Sequence, residues 1–190
     1  WTYTSLHRPL SVLQDIIGRG GKVRFINPRR IESAGENTGE VTLIKPDTDV
    51  YFMAALLHEI DRTGGFDEAQ ISQHGQNIEG LRSFIAHYTP ERVAPITGID
   101  AETIRTIARE YASAPSAAIY MATGVNQGRQ GTLAYWLLLM LSFVTGNLGR
   151  TGGDYYAKGF YPNARPVAAA PVETINLPTG PVNVVAGSLP

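Results

Sequence analysis

A glycine-rich segment with one arginine, residues 145–153, has the composition of an anion-holding loop. It reads Thr-Gly-Asn-Leu-Gly-Arg-Thr-Gly-Gly and follows an almost unbroken apolar run from Leu133 to Val144. Glycine and asparagine reach left-handed backbone conformations at little cost, so such a loop can turn its amides toward one point beside Arg150. Glycine after an apolar helix is also the commonest stop signal. The segment alone therefore supports an anion site or an ordinary helix end.

Two further loops place charged side chains directly after predicted strands. Residues 27–30 (Asn-Pro-Arg-Arg) offer two guanidiniums, which match phosphate and carboxylate geometry, although a solvated charged turn explains them as well. Residues 45–49 (Lys-Pro-Asp-Thr-Asp) put a lysine and two carboxylates at a helix start. Thr48 or Asp49 can simply cap that helix. A carboxylate there can also accept hydrogen bonds from the N1–H and 2-amino group of a guanine.

A third loop, residues 123–129 (Thr-Gly-Val-Asn-Gln-Gly-Arg), lies between a predicted strand and the apolar helix. It combines a hydroxyl, two side-chain amides and an arginine. Its glycines do not form the GxGxxG dinucleotide fingerprint, and the sequence contains no GxxxxGK[ST] phosphate loop. These absences argue against a standard nicotinamide or P-loop nucleotide site.

Residue types that would supply a catalytic or metal centre are scarce. The chain has no cysteine, which excludes disulfides, zinc–thiolate sites and iron–sulfur clusters within it. Its four histidines are scattered, and the His58-Glu59 pair lacks the second histidine of an HExxH motif, because Arg62 occupies that position. We expect loops that bind a ligand, with no catalytic residue and no metal ligand in this chain.

The local pattern predicts strands alternating with helices. We expect strands near 22–26, 41–44 and 116–121, and helices near 9–17, 49–62 and 130–144. Residues 66–95 are expected to form short helices, one of which starts at Thr89-Pro90-Glu91, and a further helix follows Asp100, with its apolar stripe running from Ile104 to Tyr111. Thr89 and Asp100 are the expected caps of two of these helices. Such alternation predicts an α/β fold: a parallel-sheet sandwich with helices on both faces, Rossmann-like and of the dinucleotide-binding type. Ligands of these sheets bind beyond the carboxyl ends of the strands, where the three polar loops lie.

Two domains are expected from the change in composition near residue 153. Residues 1–153 form the predicted ligand-binding domain, whereas residues 154–190 are rich in proline and poor in charge, which indicates an extended tail with one strand around 182–185. The chain opens at Trp1 and enters a predicted helix almost at once, so we expect it to be cut from a longer protein with a truncated N-terminus.

Charge and hydropathy limit the classes of partner. A net charge of −1 in 190 residues lacks the basic excess of a nucleic-acid-binding module. The apolar run is shorter than the roughly 20 residues of a membrane span, so we expect no direct membrane insertion. Localisation stays open, because no targeting segment is visible in the sequence.

With these loops in view, the chain resembles the molybdopterin oxidoreductase family, of the formate dehydrogenase, periplasmic nitrate reductase and dimethyl sulfoxide reductase types. The resemblance covers residues 9–153 in one register. Five segments carry it: 25–29 (FINPR), 44–49 (IKPDTD), 88–99 (YTPERVAPITGI), 124–127 (GVNQ) and 145–153 (TGNLGRTGG). Each is weak alone, but they follow the family's order and spacing. Two departures are plain, since Asn27 stands where the family usually has Asp and Asp47 where it usually has Gly.

The resemblance implies that this is an internal α/β domain of a large subunit that holds the guanosine end of a molybdopterin guanine dinucleotide. Asn27 and Arg29 would contact ribose or phosphates and Asp49 the guanine, while Thr123 and Gln127 would reach the same nucleotide from the neighbouring loop. Further cofactor-binding positions implied by the matched motifs are Lys45, Pro46, Asp47 and Gly124. Asp47 puts its own contact in doubt, because it adds a carboxylate and removes backbone freedom.

The implied partners are the remaining domains of the large subunit and an iron–sulfur electron-transfer subunit, with any iron–sulfur cluster confined to segments outside this chain. The parent would be a molybdenum-dependent oxidoreductase, and the isolated chain would be inactive. Two alternatives remain open. One is an NAD(P)-binding Rossmann-like domain of a dehydrogenase, and the other is a non-catalytic structural or docking module.

Overall fold

The protein is described by a computed structural model that covers residues 7–155 and, as backbone only, residues 173–177 and 180–184. It divides into two units, Trp1–Tyr155 and Tyr156–Pro190. In the second unit, β3 (Glu173–Leu177) and β4 (Gly180–Val184) form an antiparallel hairpin. Strand β4 overlaps the strand predicted around 182–185, whereas β3 was not predicted.

The first unit is mostly helical. Its elements are, in chain order, α1 (Pro9–Gly18), β1 (Arg24–Asn27), β2 (Glu40–Leu43), α2 (Asp49–Arg62), α3 (Glu68–His74), α4 (Ile78–Ile85), α5 (Pro90–Thr97), α6 (Ala101–Ser113), α7 (Thr123–Asn126) and α8 (Gly131–Val144). The helices predicted near 9–17, 49–62 and 130–144 are confirmed within two residues at each end.

Helix α2 lies at the centre of this unit, where it packs against α4, α5, α6 and α8. Its buried side chains point to several faces, so the helix is enclosed rather than half-exposed. The buried residues are Val50, Phe52, Met53, Ala54, Ala55, Leu56, Leu57, Glu59 and Ile60. Glu59 is only 1% exposed, and its carboxylate accepts two hydrogen bonds from Arg62, at 2.6 and 2.9 Å. That pairing compensates the burial of its charge.

Local capping fixes where the surrounding helices begin and end. The predicted caps are confirmed: Thr89 Oγ1 accepts from the amide of Arg92, and Asp100 Oδ1 accepts from the amide of Thr103 at 2.8 Å. Helix α8 ends in a Schellman turn, in which Gly146 adopts a φ of 68°. These turns set the directions in which the chain leaves the helices.

The sheet consists of β1 and β2 alone, paired in parallel with Arg24 opposite Glu40 and Asn27 opposite Leu43. Ion pairs attach it to α6. Glu110 accepts from Arg24 Nε at 2.6 Å and from Lys22 Nζ at 2.8 Å. Because a two-stranded sheet has little stability of its own, these ion pairs and the packing of Ile26 against the apolar core help to hold β1 against the helices.

The predicted third strand near 116–121 is wrong. Burial alternates along residues 117–121, as in a strand, but no neighbouring strand pairs with this segment in the described chain. Side chains take the place of that strand: the amide of Ala117 donates to Asn147 Oδ1 at 3.0 Å, and the amide of Ile119 donates to the Asp154 carboxylate at 3.2 and 3.3 Å. The fold is therefore mixed α/β and largely helical, and a Rossmann-like sandwich is not seen in the part of the chain described.

The first prediction concerns the buried amide of Asn147, which is 3% exposed and also donates to Thr145 Oγ1. Asn147→Ala leaves the Ala117 amide without its partner, so we expect the free energy of unfolding to fall by about 1–3 kcal/mol. Urea unfolding followed by circular dichroism measures it. The control is Asn37→Ala at an exposed turn, for which we expect a change within about 0.5 kcal/mol. Equal losses for both variants would contradict this role of Asn147.

The second prediction concerns pH. The hydrogen bond from Arg24, reinforced by Lys22, lowers the pKa of Glu110 from its usual 4.5 to about 2. A carboxyl with a lowered pKa stabilises the fold fully above pH 4.5, and this contribution is lost as the pH falls toward 2. We expect Glu110→Gln to cost about 1–2 kcal/mol at pH 7, after allowance for solvent screening, and nearly nothing at pH 2. Urea unfolding across this range checks it, and a pH-independent difference from wild type would refute it.

Candidate functional site

Two of the polar loops face each other across a small cleft in the first unit. One is the loop that follows β2 and leads into α2, and the other carries α7 and leads into α8. The residues lining the cleft are Asp47, Asp49, Val50, Val125, Gln130 and Ala134. Both loops were expected beyond the carboxyl ends of strands, and they lie close together although residues 116–121 do not form a strand.

Asp49 is the first residue of α2 and is half-buried in this cleft. Burial raises the pKa of its carboxyl, and the nearby carboxylate of Asp47 raises it further. None of the salt bridges formed within residues 7–155 involves Asp49. Its carboxylate consequently has no cationic partner among these residues, and it lines the cleft together with Val125 and the buried residues Val50 and Ala134.

Asp47 and Arg129 connect the two loops. The Asp47 carboxylate accepts from the Arg129 backbone amide at 3.1 Å and from Arg129 Nε at 2.6 Å. The side-chain hydrogen bond from Arg129 lowers the pKa of Asp47. Asp47 has a φ of 62°, a left-handed conformation that a residue with a side chain adopts only at a cost. The contact therefore holds a backbone that is unfavourable for aspartate.

Gly128 allows this contact. A Cβ atom at residue 128 would lie 2.7 Å from Asp47 Oδ1, too close for any real pair of such atoms. Only glycine leaves room for the carboxylate beside the Arg129 amide. The spacing of Gly128 and Arg129 was visible in the sequence, but the facing carboxylate was not, so neither residue was among the predicted contacts.

Lys45 is placed away from the cleft. Its ammonium donates to the carbonyl of Pro95 at 2.9 Å, and its amide donates to the carbonyl of Thr97 at 2.8 Å. Both acceptors lie at the end of α5, where a cation is stabilised by the helix dipole. Pro46 follows as an exposed residue. Thr48, at the N-cap position of α2, donates its hydroxyl to the carbonyl of Lys45 at 2.6 Å and does not cap the helix with its side chain.

Asn27 is the last residue of β1, and Arg29 lies just beyond it, beside the start of the second loop. The carbonyl of Asn27 accepts from the amide of Ile44 at 3.2 Å, which brings the two strand ends together. The Asn27 side-chain oxygen accepts from the amide of Arg29 at 3.2 Å. The Arg29 guanidinium forms an exposed ion pair with Glu32 at 3.1 Å. Neither Asn27 nor Arg29 lines the cleft itself.

Thr123, Gly124 and Gln127 belong to α7 or its end and are exposed to solvent. A Cβ on Gly124 would meet nothing, so the position is open. These three residues lie on the loop that forms one wall, but Val125 and Gln130 are the members of that loop which line the cleft. The missed residues Val50, Val125 and Ala134 read as core positions in the sequence, so no sequence signal marks them.

The glycine-rich segment does not gather its amides around an anion. Gly146 and Asn147 donate to carbonyls of Phe143 and Ser142 in the last turn of α8, and Gly149 donates to the carbonyl of Asp154. The Asp154 carboxylate in turn accepts from Ser142 Oγ at 2.5 Å. The structure therefore supports the interpretation of residues 145–153 as a helix end followed by a loop that hydrogen bonds hold in place.

Neither a metal site nor a membrane span is found where the structure is described. No cluster of histidine, aspartate and glutamate in that part of the chain could hold a metal ion. His58 Nδ1 lies 3.2 Å from the carbonyl of Ile85, within the helical packing. No helix of the described residues is long and apolar enough to cross a membrane.

Several curated proteins are similar in sequence to this chain. Formate dehydrogenase H of Escherichia coli (strain K12) is 37% identical over 131 residues, covering 69% of this chain and 18% of the relative. The F420-dependent formate dehydrogenase subunit alpha of Methanocaldococcus jannaschii is 34% identical over 134 residues, covering 70% and 20%. Periplasmic nitrate reductase of Desulfovibrio desulfuricans is 29% identical over 156 residues, covering 76% and 20%. The chain thus spans about a fifth of the length of these relatives.

A solved structure shares the fold. Acetylene hydratase from Pelobacter acetylenicus superimposes with a TM-score of 0.68 at 24% identity, covering 75% of this chain and 19% of that one. No protein-family model matches the chain. Two of the relatives, both named as formate dehydrogenases, are more than 30% identical to this chain over about 70% of its length. From these relatives we conclude that the chain belongs to the molybdopterin oxidoreductase family.

Proposed function

We propose that this chain is the domain of a molybdenum-dependent oxidoreductase that binds the guanosine part of a molybdopterin guanine dinucleotide. The proposal rests on one observation above the others, the half-buried and cation-free carboxylate of Asp49 at the mouth of the cleft. Guanine presents two adjacent donors, N1–H and the 2-amino group, to such an acceptor. A base that offers an acceptor at this edge would face repulsion from the carboxylate.

The wall beside Asp49 has side-chain types that pack on a purine ring: Val50, Val125 and Ala134 are apolar, and Gln130 offers one amide. Val50 and Ala134 are buried, at 9% and 1% exposure, so the loop that carries α7 would have to move away from α2 to admit the base. The metal and pterin of the proposed cofactor would supply the electron-transfer chemistry when bound.

The predicted contact residues that do not line the cleft would reach the nucleotide in different ways. Asn27 and Arg29 lie at the adjacent strand end, where they would reach the ribose or phosphates if Arg29 left Glu32. Thr123, Gly124 and Gln127 are exposed on the facing loop and would contact the nucleotide from that side. Lys45, with Pro46 beside it, would act indirectly, since its ammonium is engaged at the end of α5.

The parent protein would be an oxidoreductase acting on a small substrate, with its other domains and an iron–sulfur electron-transfer subunit as partners. Similarity over about a fifth of relatives named as formate dehydrogenases and nitrate reductases supports this reading. Residues 1–153 would be the nucleotide-binding domain and residues 154–190 an appended tail. The rival proposals, a nicotinamide-binding domain and a docking module, are separated from it by the titration below.

The third prediction is selective binding of guanine nucleotides by the full 190-residue chain. In calorimetric titration we expect GMP and GDP to bind, IMP to bind more weakly because it lacks the 2-amino group, and NADH not to bind. Asp49→Asn should weaken GMP binding by about tenfold, the value of one hydrogen bond to a charged group. Asp15→Asn, which removes an exposed carboxylate on α1, is the control with unchanged affinity. Tight NADH binding would favour the nicotinamide alternative, and binding of no nucleotide would favour the docking alternative.

The fourth prediction is that the purified chain folds but carries no stoichiometric molybdenum and does not reduce dyes. The sequence contains no thiolate, and the described residues contain no cluster that could replace one. A cofactor held on one face also loses buried contact, and affinity falls about tenfold for each 1.4 kcal/mol lost. Elemental analysis and a dye-reduction assay measure both properties. Stoichiometric metal, or turnover by the chain alone, would disprove the prediction.

A further inference from the structure

The Asp47–Arg129 contact has the geometry of an occupied anion site. The Arg129 amide and Nε are directed at the two oxygens of one carboxylate, at 3.1 and 2.6 Å. Two N–H donors that converge on two oxygens of one anion suit a phosphoryl group as well as a carboxylate. The donors come from a single residue, so they stay together if the carboxylate leaves.

The carboxylate that fills this position is held weakly. The Arg129 side chain is 89% exposed and that of Asp47 is 32% exposed, and exposed ion pairs contribute little to stability. The left-handed backbone of Asp47 opposes the contact further. A competing anion that approaches from the cleft therefore needs to displace only a weak and strained partner.

We propose that the amide and guanidinium of Arg129 form a seat for a phosphoryl group, and that Asp47 occupies this seat until a phosphorylated ligand displaces it. The inference rests on the proposed nucleotide role of the cleft, because Asp49, which lines the same cleft as Asp47, would hold the base. It assigns to Arg129 the phosphate contact that the sequence did not predict. It assigns to Asp47 the role of an internal competitor that lowers affinity and selects for ligands able to replace it.

Gly128 is the residue that makes the competition possible. A Cβ at this position would lie 2.7 Å from Asp47 Oδ1 but 3.2 Å from the nearest backbone atom, the carbonyl oxygen of Val125. An alanine would thus occupy the space of any anion oxygen beside the Arg129 amide, whether that oxygen belongs to Asp47 or to a phosphoryl group. This gives a way to block the seat without changing the net charge of the protein.

The fifth prediction uses inorganic pyrophosphate as the probe and the full chain as the protein. We expect Asp47→Gly, which also suits a φ of 62°, to raise pyrophosphate affinity about fivefold, the scale set by an exposed ion pair. Adding Gly128→Ala to Asp47→Gly should remove this gain, because the new Cβ blocks the seat. Calorimetric titration gives the affinity, and the chemical shift of the Arg129 amide locates the binding. Adding Arg129→Gln to Asp47→Gly should abolish the gain.

Glu91→Gln is the matched charge control, since it removes one carboxylate from an ion pair with Arg105 outside the cleft. It should leave pyrophosphate affinity unchanged. Equal affinity of wild type and Asp47→Gly would overturn the inference, as would a gain of the same size in Glu91→Gln or a gain that survives the addition of Gly128→Ala. A gain that survives Arg129→Gln would overturn it too. Failure of GMP to bind, with the pyrophosphate results as expected, would instead reject the guanosine proposal and keep the anion seat.

Discussion

The burial of α2 on nearly every side is the constraint from which the arrangement of this protein follows. A helix enclosed by α4, α5, α6 and α8 cannot rotate or slide without opening the core. Its first residue, Asp49, is consequently fixed in position and orientation, and so is the loop that enters it from β2. The side of the cleft that carries Asp49 is therefore a property of the core, whereas the facing side is the loop that carries α7.

The charged residues around α2 secure its neighbours without adding buried unpaired groups. Arg82 on α4 donates to Asp61 on α2, to Glu68 on α3 and to Glu79 on its own helix. The same guanidinium lies 5.6 Å from the centre of the Phe66 ring. One side chain thus connects three helices. It does so near the surface, where water screens the repulsion among the three carboxylates around the guanidinium.

Sequence reasoning located elements whose signals are local. The caps Thr89 and Asp100 and the apolar run of α8 each depend on neighbours a few residues away, and each was predicted. The third strand failed because periodicity reports which side of a segment is buried and not what pairs with its amides. Ala117 and Ile119 have the alternation of a strand, yet their partners are side chains about 30 residues later in the chain.

In the candidate site, too, local sequence predicts some residues, whereas other contacts depend on distant parts of the chain. Asp49 could be named in advance, since its place at a helix start is a local property. The pairing of Asp47 with Arg129, 82 residues apart, could not, because charge alone does not choose among many possible partners. The contact of Lys45 with the end of α5 could not be predicted either, since it depends on where that helix ends in space.

The replacement of a strand by Asn147 and Asp154 has a consequence for local opening of the structure. In a sheet, the hydrogen bonds between neighbouring strands protect the amides from solvent exchange along the whole strand, and this protection is lost one strand at a time. Here, two alternate amides depend on one short loop, so a fluctuation that lifts residues 147–154 exposes both to solvent exchange at once. The glycine-rich segment and the chain that leads into α7 thus form one cooperative unit. A disturbance at the end of α8 would reach the wall of the cleft through it.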